Sequence, residues 1–137
     1  MTGPANDQTI ATLLRDAKTI AVVGLSGNPQ RPSYGVAQYL QRHGYHVIPV
    51  NPSEEEVLGE KSYASLKDIP EHVDIVDVFR RSEFVPDIAD QAIEIGARAL
   101  WLQVGVIHEE AAGKASAAGL TVVMDQCIAV DHSLLVR

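Results

Sequence analysis

The chain has one cysteine, few positive charges and no long apolar run, and each shortage excludes a class of protein. A lone cysteine, Cys127, cannot close an internal disulfide framework, so the fold must rest on its core, and a reducing compartment is expected. The apolar runs, such as Thr19 to Val23 and Val47 to Val50, are far too short to span a bilayer. Residues 1–9 hold neither the basic nor the apolar part of a secretory signal. A cytoplasmic protein without a membrane partner is the expectation. Lys and Arg number 11 against 18 Asp and Glu, a net charge of −7, which argues against nucleic acid as a partner. No pair of His, Cys, Asp or Glu shows zinc-type spacing, so no metal site is expected.

What is present describes an ordinary folding chain. At 137 residues, 46% hydrophobic and 21% charged, it reads as one domain over residues 1–137. Asn6 or Asp7 can cap a first helix whose Ile10, Leu13, Leu14 and Ala17 share a face. "TIAVVGL" has the continuous apolar character of a strand covered on both faces. A helix follows over "SYGVAQYLQRHG", with Ser33 as its cap and Gly44 as its stop. "YHVIPVNP", "VDIVDVF", "ALWLQVGV" and "LTVVMDQC" read as further strands. Between the second and third, residues 53–72 are less regular: acidic "SEEE", a turn at Gly59 and a short helix ended by Pro70. Ser82 is the expected cap of the helix before Gly96, and "HEEAAGKASAAG" is a small-residue helix. Strands alternating with helices imply right-handed crossovers and a parallel sheet wrapped on both faces. The expectation is a three-layer α/β Rossmann-like domain with five parallel strands in the order 3-2-1-4-5.

In such sheets ligands gather beyond the carboxyl ends of the strands, where strand order reverses. Gly24 to Ser33 leave the first strand, Asn51 and Pro52 the second, Val78, Phe79, Arg80 and Arg81 the third. Gln103 and Gly105 leave the fourth, Asp125 and Cys127 the fifth. Arg31, Arg80 and Arg81 therefore stand at one rim of an acidic chain, a placement suited to an anionic ligand. The loop "GLSGNPQRPSYG" carries Gly24 and Gly27 but has Ser26 and Pro29 where a dinucleotide fingerprint has glycines. Read as simple turn residues, the glycines need no ligand. Between a buried strand and a helix they instead suit backbone N–H groups approaching a phosphate. The second strand ends in Asn51 rather than the acid that holds the ribose diol of NAD. That leaves room for a ligand with an extra ribose phosphate, NADP or coenzyme A.

With these residues in view, the chain resembles the small single-domain bacterial coenzyme A-binding proteins, and is similar to the nucleotide-binding domain of succinyl-CoA synthetase α subunits. The likeness rests on "VVGLSGNPQRPSYGVAQYL", "GYHVIPVNP", "GEKSYASLKDIP", "VDIVDVFRR", "GARALWLQVGV" and "MDQC", in that order along nearly the whole chain. It implies that Gly24, Ser26 and Gly27 lie against the coenzyme's phosphates. Asn51, Pro52, Val78, Phe79 and Arg80 would border the adenosine part, with Arg80 a phosphate partner. Gln103 and Gly105 would line the outlet for the pantetheine arm, and Arg31, Pro32 and Ser33 match a segment of the small family. A counterpart of the synthetase's second domain, with its phosphorylated histidine, is not expected, so acyl-CoA ligation is not carried over.

No residue stands out as a catalyst. His43, His46 and His72 read as surface or capping groups, His132 as part of a tail, and His108 as a helix-start residue within reach of a ligand. Trp101 reads as core and the acidic "SEEE" as a solvated bend. The main expectation is a non-catalytic carrier, sensor or partner-presenting module for coenzyme A or an acyl-CoA, with a homodimer or a protein partner. Two alternatives stay open: an NAD(P)-binding redox protein, and a small thioester-handling enzyme using Cys127.

Overall fold

A computed structural model of the protein describes residues 5–136. Helix α1 (Asp7–Asp16) starts where Asn6 Oδ1 accepts the Thr9 N–H at 2.8 Å, and it buries Ile10, Leu13 and Leu14. Then come β1 (Thr19–Val23), α2 (Pro32–Arg42), β2 (His46–Val50) and a small antiparallel hairpin, β3 (Glu56–Val57) and β4 (Glu60–Lys61). The rest is β5 (Ile75–Val78), α3 (Val85–Glu94), β6 (Ala99–Leu102), α4 (Glu109–Ala117), β7 (Thr121–Met124) and α5 (Ile128–Leu135). His132, expected in a tail, thus lies within a helix.

The expected α/β architecture is present: a five-stranded parallel sheet with helices on both faces. Side chains alternate across each strand and so feed two cores. Ile20, Val22, Ile75 and Trp101 pack with α1, α2 and α5; Ala21, Val23, Val76, Val78, Leu100 and Leu102 pack with α3 and α4. Among the described residues no helix is long and apolar enough to cross a membrane.

Strand order differs from the expected 3-2-1-4-5 at one strand. The sheet runs β2-β1-β5-β6-β7, so the third parallel strand lies between the first and fourth, not outside the second. The outer edge of β2 is already taken. Tyr63 bridges Val50, its N–H donates to Pro49 O at 3.0 Å, and Asn51 N–H donates to Tyr63 O at 2.8 Å. The free edge of β1 was what remained for β5. Pro49, which has no N–H to give a central ladder, fits the edge position.

Two expected caps do other work. Ser33 is the second residue of α2, and its Oγ accepts the Ser26 N–H at 3.1 Å. Ser82 opens a 3₁₀ turn, Ser82–Phe84, and its Oγ accepts the Ile107 N–H at 2.9 Å. Each hydroxyl thus ties its element to an amide of another segment.

Asp77 is the exception within the core. It sits on β5 between Val22 and Trp101, is wholly buried, and neither carboxyl oxygen has a hydrogen-bond partner among the described residues. Burial pushes its carboxyl well above the ordinary carboxylate range. The folded state therefore keeps a proton that the unfolded chain releases above about pH 4. Its contribution is intact below that pH, and stability falls as pH rises toward the folded value. Asp77→Asn, equal in size and unable to titrate, should gain on the parent protein between pH 4 and pH 7 in urea unfolding. A constant difference would show a carboxyl that ionises as freely in the fold as outside it.

Candidate ligand-binding site at the switch of the sheet

Strand order reverses between β1 and β5: from β1 the chain crosses to β2 on one side, then back to β5 on the other. A ligand bound at such a reversal would lie beyond the carboxyl ends of these two strands. β1 ends in a fork. Gly24 N–H donates to Val50 O at 2.8 Å, while Phe79 N–H donates to Val23 O at 2.8 Å. Gly24 turns away with φ +89°, and a Cβ there would lie 2.8 Å from Phe79 O and 2.9 Å from Arg80 Cδ. Glycine is thus required twice, for the turn and for the passage of the β5 exit across it.

The loop that follows satisfies its own amides. Ser26 Oγ accepts the Asn28 N–H at 3.0 Å and Asn28 Oδ1 the Gln30 N–H at 2.9 Å, while Ser33 Oγ holds the Ser26 amide. The Gly27 N–H donates to a carboxylate from a different segment, Glu54 Oε2, at 2.6 Å. The "SEEE" stretch is therefore not simply a solvated bend: Glu54 is folded back onto the glycine loop. Asn51 builds the return, accepting the Ser53 N–H on Oδ1 and the Glu54 N–H on its carbonyl. Its Nδ2 meanwhile donates to Leu25 O at 3.1 Å. Asn51 thus ties β2 to the loop, and the charge missing at that position arrives three residues later.

Two cations border the crevice. Arg31 is exposed at the start of α2, whose first turn holds no acidic side chain. Arg80 lays its guanidinium 4.4 Å from the centre of the Phe84 ring. Among the described residues neither forms an ion pair, whereas Arg81 approaches Glu83 at 3.9 Å.

The remaining expected residues separate into rim and support. Pro52 is exposed beside the loop, and Phe79 is half-buried against the β1 side of the core. Val78 is wholly buried in the core formed with α3 and α4. Gln103 is buried, and its Oε1 accepts the Ile128 N–H at 3.2 Å, holding the start of α5. Gly105 is exposed with φ +84°, its N–H bound to Asp125 Oδ1 at 2.7 Å. His108 caps α4 through Nδ1, which accepts the Ala111 N–H at 3.1 Å. Cys127 is partly exposed before α5 and makes no capping bond with it. Trp101 is core, its indole N–H held by Gln126 O at 2.9 Å. His132, expected in a tail, is buried on α5 against the Tyr39 hydroxyl at 2.8 Å, where burial and then nearby His43 lower its pKa.

Residues 18–133 match a family described as CoA binding domain. The chain belongs to that family. Among its relatives is an uncharacterized Bacillus subtilis protein, YneT, 46% identical over 125 residues that cover 91% of this chain and 93% of the relative. The α subunit of the ADP-forming acetate–CoA ligase II of Pyrococcus furiosus is 39% identical over 80 residues, 58% of this chain but 18% of that longer protein. Among solved structures, a hypothetical protein from Pyrococcus horikoshii superposes with TM-score 0.94 at 40% identity, covering 100% of this chain and 99% of its own. In this CoA-binding family member the donor set at the crevice, two arginines and a glycine turn, suits a phosphate-bearing ligand.

Gly24→Ala is expected to destabilise the protein by about 2 kcal/mol or more, since a left-handed φ alone costs an L-residue about 1–2 kcal/mol before the clash with Phe79. Gly35→Ala, inside α2 with nothing within 4 Å of its new Cβ, should instead stabilise by about 0.5–1 kcal/mol. Urea unfolding of both variants separates a glycine needed for geometry from one that is not.

Proposed function

We propose that the protein binds coenzyme A or an acyl-CoA in the crevice above β1 and β5 and acts as a non-catalytic module that carries, senses or presents it. The observation that carries this reading is Arg80, a cation without an ion-pair partner among the described residues, drawn across the Gly24 turn at the point where strand order reverses. Family membership supports the same ligand, as does the name of the ligase subunit that shares 80 aligned residues. Arg80, Arg31 and the Ser26 to Gly27 turn would hold the phosphates, and the Asn51–Pro52 rim would border the nucleoside. The Gln103 to Gly105 exit would pass the pantetheine arm. When bound, the coenzyme supplies a thiol or thioester; the protein's part is to bind, orient and shield it.

Glu54 gives one specific reason to keep a second reading, an NAD(P)-binding protein. It returns a carboxylate to the neighbourhood where dinucleotide enzymes hold the ribose diol. Thermal unfolding with each ligand separates the two. Coenzyme A at 100 times its dissociation constant should add about 2.7 kcal/mol, a rise of several degrees. Arg80→Gln should weaken coenzyme A about 10- to 100-fold, the scale of a lost hydrogen bond to a charged group. Stabilisation by NADH or NADPH and none by coenzyme A would overturn the first reading in favour of the second.

A further inference from the structure

The glycine turn already holds an anion of its own. Around Gly27 the neighbouring amides of Ser26 and Asn28 are bound by hydroxyls from the same loop and the start of α2. Only Gly27, among these three, donates to a side chain from beyond β2. Both Glu54 carboxyl oxygens lie 3.1 Å from where a Gly27 Cβ would stand, so the carboxylate rests flat against the glycine. A side chain at position 27 would press on it and make it give by a few tenths of an ångström. No lysine, arginine or histidine among the described residues forms an ion pair with Glu54. Its partner is the backbone amide that a ligand phosphate would use, and one N–H cannot serve both.

We propose that Glu54 is a built-in competitor for the phosphate seat at Gly27, displaced when a ligand's phosphate binds, and so sets the affinity of the crevice. The proposal rests on the coenzyme reading above, for the ligand and for its phosphate at Gly27. Displacement requires the Glu54 side chain to rotate away from Gly27, from its place on the turn between Asn51 and Glu54. That turn is closed by two short-range bonds from the Ser53 and Glu54 amides to Asn51, and neither belongs to the sheet. A carboxylate is also the group best able to hold the loop in a bound-like shape before any ligand arrives, because it presents the same acceptor oxygens at lower charge.

Calorimetric titration of the parent protein, Glu54→Gln and Glu54→Ala with coenzyme A and with inorganic pyrophosphate tests this. Both variants should bind both probes at least about 5-fold more tightly. Removing unit-charge repulsion at about 4 Å gives that factor even at the dielectric of bulk water. Coenzyme A bound equally or more weakly by the variants overturns the competitor role while the coenzyme reading stands, and a weakening would make Glu54 a hydroxyl acceptor instead. Pyrophosphate bound more tightly by the variants, with coenzyme A bound by none of the proteins, keeps the seat and removes the coenzyme. Binding of neither probe to any of the three overturns both.

Discussion

The close passage of the β5 exit over Gly24 is the constraint on which the rest of the site depends. β1 is hydrogen-bonded to β2 and β5 at once, and it cannot follow both beyond Val23. Gly24 stays with β2 through Val50, Phe79 stays with β1 through Val23, and the chain opens between them. With a side chain at position 24 the fork would not form, because the backbone of Phe79 and the stem of Arg80 occupy that space. The fork delivers the glycine turn, the N-terminus of α2 and the Arg80 guanidinium to one rim.

From that fork outward, the rim is a set of short ties that leave charge exposed where a ligand can use it. Asn51, Ser26, Ser33 and Ser82 are all spent on loop amides or carbonyls, which keeps the loops in place without a bound partner. Arg31 and Arg80 are held by position and by the Phe84 ring, not by carboxylates. Glu54 is the opposite case, a carboxylate spent on an amide and not on a cation. An acidic protein can in this way keep a receptive anion site: the negative charges lie elsewhere, or inside the seat itself.

Much of this was legible in the residues. The apolar strands of four or five residues, the cap at Asn6 and the stop at Gly44 have local causes and appear where local chemistry put them. Arg80 and the Gly24 turn were legible for the same reason, since residues leaving a parallel strand must lie at one end of the sheet. The order of the strands was not, because it turned on Tyr63 pairing with the outer edge of β2, a contact between irregular segments. Pro49 was the available signal, marking its strand for an edge. Glu54 looked solvated because three adjacent acids carry no period, and only the Asn51 turn decides which of them folds back. Asp77 lies inside "VDIVDVF", and only the packing of Val22 and Trp101 on either side left its carboxyl without a partner among the described residues.

By itself, then, the sequence determined the element types, the two-sided burial of the strands and the set of residues at their carboxyl ends, because each follows from spacing and side-chain chemistry within a few residues. The tertiary structure alone decided which strands became neighbours, which polar groups were spent on support, and which carboxylates met a backbone amide or met nothing. Those outcomes depend on contacts between separate segments of the chain, where geometry selects among partners that composition leaves equivalent.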